Sequence, residues 1–288
     1  MKLALGTVQF GLDYGVANTA GMISDKDANN ILKLANEQGV DTLDTAIGYG
    51  CSEERLGSLG VDGLKVVSKL PIFPDNKANV DFWIKTEVIA SINRLRCSNL
   101  YGLLLHRASD LLGDYGSTIY STLVKLKEQG FIKKIGVSIY DFDELNEILE
   151  RYEVDLVQAP FSIVDRRLIT KGLLDVMKSN GIEVHVRSVF LQGLLLMDVQ
   201  DHDPYFSRWS NLWEKIDKWR SSNDLTALSS CLCYPLSIQG IDKVIVGVDS
   251  ADHFSEILSA SEALAPEISS DICSEDPDLI NPSLWKTA

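Results

Sequence analysis

The 288-residue chain is 45 % hydrophobic and 24 % charged, a globular composition at a length that accommodates two domains or one large α/β barrel and buries its own core. Its formal net charge of −14 argues against an extended nucleic-acid surface or electrostatic attachment to an anionic membrane. No stretch approaches the roughly 18 consecutive apolar residues of a membrane span, and the apolar run in MKLALGTVQF is too short for a signal peptide. The cysteines (Cys51, Cys97, Cys231, Cys233 and Cys273) form no CxxC pair and no zinc-ribbon spacing. A cytoplasmic protein with reduced thiols, no metal site and no nucleic-acid or membrane partner is expected.

Short apolar or β-branched runs alternate with amphipathic stretches along the whole chain. LALGT (3–7) is the first predicted strand, and SDKDANNILKLANEQG follows as a helix capped by Ser24, with Asp27 three residues on and Gly39 as its stop. DTLDTA (41–46) precedes the short helix SEERLGSLG, and KVVSKL (65–70) precedes FWIKTEVIASINRLR. LYGLLLHR (100–107), IKKIGVS (132–138) and LVQAPF (156–161) are followed by STLVKLKEQG, FDELNEILERY and RLITKGLLDVMKSNG. After IEVHVRS (182–188) the segment 194–242 is overlong, with a polar loop near DVQDHDPYF and helical stretches around WSNLWEKIDKWR and DLTALSSCLCYPLSI. KVIVG (243–247) is the eighth strand.

Eight βα units without a Pro/Gly/Ser linker predict an α/β fold, a single (β/α)8 TIM barrel over residues 1–262, rather than a doubly wound sheet with a second domain. The remaining tail, 263–288, is too polar for a ninth unit and is expected to lie over the surface or partly cover the barrel mouth. Trp209, Trp213 and Trp219, in the overlong segment, are the tryptophans expected to approach that mouth.

Active sites of such barrels lie at the C-terminal ends of the strands. Strand two ends at Asp44, with Tyr49 in the glycine-rich loop beyond it; strand three carries Lys69, and strand four ends at His106. Each residue has an ordinary structural role open to it: a snorkelling lysine, a hydrogen-bonded core histidine, a structural acid, an exposed loop tyrosine. Together, at three successive strand ends, they converge in space and fit the reduction of a carbonyl. Hydride arriving at a carbonyl carbon leaves an alkoxide that needs a proton. A phenol, with an ordinary pKa of about 10, donates slowly near neutral pH unless its phenolate is stabilised. Lys69 supplies that stabilisation, Asp44 keeps the lysine charged, and neutral His106 donates a hydrogen bond to the carbonyl oxygen.

The segments GVDTLDTAIGYGCSEERLG, VVSKL, LLLHR and KKIGVS, in this order, resemble the signature segments of the aldo-keto reductase superfamily. The resemblance implies NADP(H) or NAD(H) bound in extended form on a barrel, with Asp44, Tyr49, Lys69 and His106 as the catalytic tetrad. An aldehyde, ketone or sugar carbonyl is then reduced to the alcohol. No GxGxxG fingerprint follows any predicted strand, in keeping with a site that is not a Rossmann fold. Cofactor contacts implied by the resemblance are Gly6, Thr7 and Asp44 beside the nicotinamide, with Ser138 and Gln158 on its carboxamide. Ser188, Leu191, Gln192 and Gly193 form the pyrophosphate loop, and Gly247, Val248, Ser250, His253 and Glu256 surround the adenosine.

The chain departs from the family pattern at Ile139, where an asparagine usually follows the serine, and at Arg187, which replaces the aromatic residue stacked on the nicotinamide. A guanidinium there either stacks on a ring or binds an anion. Gly247 and His253 replace basic residues that clamp the 2′-phosphate of NADP, and Asp249 adds a negative charge that favours NAD. Ser250 and backbone N–H groups still offer a phosphate partners, so both cofactors stay open. Arg107, next to His106, and Arg187 point to an anionic small-molecule carbonyl substrate such as a phosphorylated or nucleotide-linked sugar. Pairing of Arg107 with Asp110 is the competing interpretation. Two other functions stay open: a barrel lyase with a Schiff base on Lys69, which a charge-stabilising Asp44 opposes, and a cofactor-binding regulatory subunit, which has no need of Tyr49.

Overall fold

Strands covered on both faces read as continuous apolar runs, and all eight runs are strands: β1 (Leu3–Gly6), β2 (Thr42–Asp44), β3 (Lys65–Leu70), β4 (Leu100–Leu105), β5 (Ile132–Ser138), β6 (Leu156–Pro160), β7 (Glu183–Arg187) and β8 (Lys243–Gly247). In the computed structural model, which describes residues 1–16, 18, 21–74 and 79–286, they pair in parallel in chain order and β1 closes on β8. The fold is a single (β/α)8 barrel, as the alternation predicts. Several strands end earlier than the apolar runs do, because residues such as His106 and Ser188 leave the sheet to line the mouth.

The helices are α1 (Asp25–Glu37), α2 (Ser52–Leu59), α3 (Val80–Leu95), α4 (Gly116–Glu128), α5 (Phe142–Arg151), α6 (Arg167–Thr170), α7 (Leu173–Ser179), α8 (Ser210–Ser222), α9 (Ala227–Ser237), α10 (Ala251–Ala260) and α11 (Pro277–Ile280). Ser24 caps α1 by accepting the Asp27 N–H at 3.1 Å. RLITKGLLDVMKSNG is two helices rather than one. Gly172 between α6 and α7 sits at φ 69°, in the left-handed region that ends a helical run. Among the described residues no helix is long and apolar enough to cross a membrane.

Inside the barrel, Val67, Leu104 and Leu156 form a buried cluster of their own, distinct from the larger core that the strands build with the helices. Side chains alternate along a strand. The residues two positions beyond this layer are therefore Lys69, His106 and Gln158, which rise together towards the C-terminal mouth. The opposite end is closed by a polar cluster in which Glu183 accepts Tyr101 Oη at 2.8 Å and lies 2.7 Å from His185 Nε2, with Lys134 as its ion-pair partner.

The tail packs against the segment after β6 and the segment before α8. Leu279 and Ile280 are buried, Arg166 donates to the Ser269 carbonyl at 2.6 Å, and α11 packs against the segment before α8. Trp209 and Trp219 fasten this arrangement, Trp213 packs within the long segment before β8, and none of the three lines the mouth, contrary to expectation. Trp209 donates to Asp276 at 3.1 Å, Trp213 to the Phe206 carbonyl at 2.9 Å and Trp219 to the Glu267 carbonyl at 3.0 Å. Their rings are committed to packing and to the tail. Thr287 and Ala288, the last residues of the predicted tail, lie outside the described residues.

Candidate active site

Strand register assembles the mouth. Gly6 pairs with both Asp44 and Gly247, and Ser138 pairs with Gln158. A cavity of about 550 Å³ opens there, within the usual range for small-molecule sites. Asp44, Tyr49, Lys69 and His106 all line it.

Lys69 is 1 % exposed and Asp44 5 %, so their charges require partners. Lys69 Nζ donates to Asp44 Oδ2 at 2.7 Å and to the Thr45 carbonyl at 2.9 Å. The other carboxylate oxygen, Oδ1, accepts Gln158 Nε2 at 2.6 Å, and Gln158 Oε1 accepts Ser138 Oγ at 3.3 Å. The two residues assigned by resemblance to the carboxamide thus belong to one hydrogen-bonded chain with the buried ion pair. Burial opposes the lysine charge, but the Asp44 carboxylate and Tyr49 outweigh it and hold Lys69 above its ordinary pKa.

Lys69 Nζ lies 5.0 Å from the centre of the Tyr49 ring, and the His106 ring stands edge-on to Tyr49 with centroids 6.0 Å apart. The Tyr49 loop is pressed against the chain after β1. A Cβ on Gly11 would fall 1.9 Å from the Tyr49 carbonyl oxygen, so only glycine permits this approach. Glu53, the second residue of α2, is buried and accepts Ser68, Ser91 and Arg94, which anchors the helix directly behind Tyr49.

The pKa of His106 is pushed down to about 4, by burial first and then by the Lys69 and Arg187 cations. Water reaches the ring through the mouth and softens the burial contribution; the two cations act in the same direction. The imidazole is neutral at physiological pH and has one N–H to give.

Of the other residues assigned by resemblance, Gly6, Thr7, Ser138, Gln158, Arg187 and Ser188 line the cavity, as do Gln192, Gly193, Gly247 and His253. Leu191 and Val248 are buried in the core instead. Ser250 caps α10, accepting the His253 N–H at 3.0 Å, and Glu256 is exposed on that helix. These four do not line the cavity. Ser188, Leu191 and Gln192 have φ of 63°, 49° and 55°, a left-handed run that costs non-glycine residues about 1–3 kcal/mol each and is typical of ligand-holding loops.

For Arg107 the competing interpretation holds, and it is not a substrate contact: its guanidinium pairs with Asp110 at 2.6 Å and it does not line the cavity. Asp110 lies on the 3-10 turn Ala108–Leu111 immediately after the arginine, close enough to draw the side chain away from the mouth. Arg187 does line the cavity, with its guanidinium 3.9 Å from the centre of the Tyr140 ring.

Tyr140, Tyr14 and Gln9 also line the cavity and were not singled out from the sequence. Tyr140 follows Ser138 by two residues, a strand-end position that signalled it. Tyr14 has no such signal. Its hydroxyl accepts Gln192 Nε2 at 3.1 Å across 178 residues of chain, and burial first, then Tyr140 and Tyr49, push its pKa up to about 12.

The aldo/keto reductase family model matches residues 2–273. The chain belongs to this family. The NADH-specific methylglyoxal reductase of Escherichia coli (strain K12) is 30 % identical over 202 residues, covering 62 % of this chain and 61 % of that protein, so the match spans about six-tenths of the relative. The glyoxal reductase of Bacillus subtilis (strain 168) is 30 % identical over 59 % of this chain and 60 % of that enzyme. The D-threo-aldose 1-dehydrogenase of Pseudomonas sp is 23 % identical over 85 % of this chain and 87 % of that protein. A solved aldo-keto reductase from Bacillus halodurans in its holo form superposes with a TM-score of 0.76 at 20 % identity, covering 96 % of this chain and 94 % of that one, a likeness of fold. The family resemblance of the sequence segments is borne out.

Proposed function

We propose that this aldo/keto reductase reduces a small aldehyde, ketone or sugar carbonyl with NADH, and that Tyr49 is the proton donor. The observation that carries this is the convergence of Tyr49, neutral His106 and the buried Lys69–Asp44 pair on one cavity. Among the described residues, two buried acceptors in the same cavity, Gln9 Oε1 and Asp249 Oδ1, have no hydrogen-bond partner, and the hydroxyl and amide groups of a nicotinamide dinucleotide would supply the donors they lack. When bound, that cofactor supplies the hydride. The Lys69 ammonium stabilises negative charge on the phenol oxygen as the Tyr49 proton leaves, Asp44 and Gln158 hold Lys69 in place, and His106 donates its N–H to the carbonyl oxygen.

Asp249 favours NADH. Its carboxylate would accept a ribose hydroxyl and repel a phosphate, and among the described residues its ion-pair candidate is His253, 3.6 Å away. Relatives named for methylglyoxal and glyoxal support a small, reactive carbonyl substrate, and five free cysteines are in keeping with a reducing cytoplasm. The Schiff-base alternative is disfavoured because the ion pair with Asp44 keeps Lys69 protonated.

Tyr49→Phe should lower kcat for methylglyoxal or a generic aldehyde by about 10²–10⁴-fold while the NADH dissociation constant, read by fluorescence, stays within about twofold. Full turnover by the phenylalanine variant, or no NADH binding at millimolar concentration, would sink the proposal.

A further inference from the structure

Arg187 ends β7 and lines the same cavity as Tyr49 and His106. Five other arginines, Arg55, Arg94, Arg107, Arg167 and Arg208, each hold a carboxylate at 2.6 to 2.9 Å, and Arg166, away from the cavity, spends its donors on the Ile163, Ser269 and Ile272 carbonyls. Arg187 has no carboxylate partner among the described residues. It is held by neutral groups alone: Nη1 donates to Ser188 Oγ at 3.1 Å, Nη2 donates to the Ile139 carbonyl at 2.9 Å, and the Tyr140 ring supports one face at 3.9 Å. These contacts fix the plane of the guanidinium and use two of its five N–H donors.

The charges around the mouth sharpen the point. Asp44 is spent on Lys69, and Asp249 stands beside His253. Among the described residues, the reacting end of the cavity is left with one uncompensated cation, in a chain whose net charge is −14 and which has acids to spare. A half-buried guanidinium without a counter-ion is costly, and a bound anion removes that cost. Stacking on the nicotinamide, the other use open to it, would set the guanidinium against a like charge in the oxidised cofactor.

We propose that Arg187, braced by Tyr140, Ile139 and Ser188, is the receptor for an anionic group of the substrate, so that the preferred carbonyl compounds carry a carboxylate or phosphate near the carbonyl. This rests on the reductase reading above. The planar fork matches either oxyanion in a bidentate geometry that a lysine does not reproduce.

The test is kcat/KM at saturating NADH for two matched pairs: 4-oxobutanoate against its methyl ester, and glyceraldehyde 3-phosphate against glyceraldehyde. The wild-type enzyme should prefer the charged member of at least one pair by about 10- to 100-fold, mainly through KM, and the pair with the larger ratio identifies the oxyanion. Arg187→Met should bring the ratio to about one and Arg187→Lys should fall between. Raising the ionic strength should lower the wild-type ratio, a measurement that needs no variant. Equal use of both members of each pair by the wild type, or a preference that survives Arg187→Met, overturns this proposal alone. So does a methionine variant that loses NADH affinity with its ratio unchanged, which would assign Arg187 to the cofactor. Absence of turnover of all four compounds with NADH bound overturns the reductase reading and this one with it.

Discussion

Replacing Lys69 with methionine removes a buried ammonium and leaves an unbranched chain of similar length in its place. The Asp44 carboxylate then loses a 2.7 Å bond and keeps, among the described residues, only its 2.6 Å bond from Gln158. Breaking one side of a buried ion pair costs about 3–5 kcal/mol, because the remaining charge is stranded. The surviving Gln158 bond sets the expected loss at the lower end, about 3 kcal/mol. At roughly 2–4 °C per kcal/mol, Tm should fall by about 6–12 °C. Asp44→Asn combined with Lys69→Met strands no charge, so the double variant should be more stable than Lys69→Met alone by about 2 kcal/mol. Unfolding of the four proteins closes a double-mutant cycle. Losses that add within about 0.5 kcal/mol would refute the argument, since uncoupled residues behave that way. The pH dependence adds a second check. Lys69 has its folded-state pKa raised above 10.5, so its contribution is complete below that value and is lost as pH rises through the higher folded-state value. The gap in Tm between wild type and Lys69→Met should therefore hold constant from neutral pH to about pH 10.

His106, with its pKa near 4, should show no imidazole titration around pH 6.5 by NMR, and an ordinary midpoint there would contradict the neutral-donor role. Because that pKa is depressed, its contribution to stability is complete above pH 6.5 and is lost as pH falls towards 4. His106→Gln should flatten the pH dependence of Tm across that interval. Asp249→Ser should raise the NADPH to NADH ratio of kcat/KM by roughly tenfold or more, since one repelling charge is removed; an unchanged ratio would place Asp249 away from the cofactor phosphate.

The barrel was legible because each strand carries its burial pattern locally. Asp44, Lys69 and His106 stood out for the same reason: a polar side chain at the end of an apolar run is a local contrast that a buried strand does not tolerate without a partner. Arg107 and Arg187 offered equal contrast, and strand parity separates them. Arg187 shares its side of β7 with His185 and faces inward, whereas Arg107 follows inward-facing His106 and meets Asp110 instead. Helix capping at Ser24 was equally readable, because donor and acceptor lie three residues apart.

What stayed hidden were contacts between groups far apart in the chain. Gln158 reaches Asp44 across 114 residues and Gln192 reaches Tyr14 across 178, and no local pattern joins the members of either pair. The long segment before β8 carried helical periodicity but no sign that Trp209 and Trp219 would turn to the tail rather than to the mouth. The sequence by itself determined the eight βα units, the family and the four polar residues at the strand ends, since these follow from residue spacing along single elements. Only the tertiary structure decided which arginine faces the cavity without a counter-ion, which tyrosines join the wall, and which glutamine braces the buried pair, because those relations exist only once β1 has closed on β8.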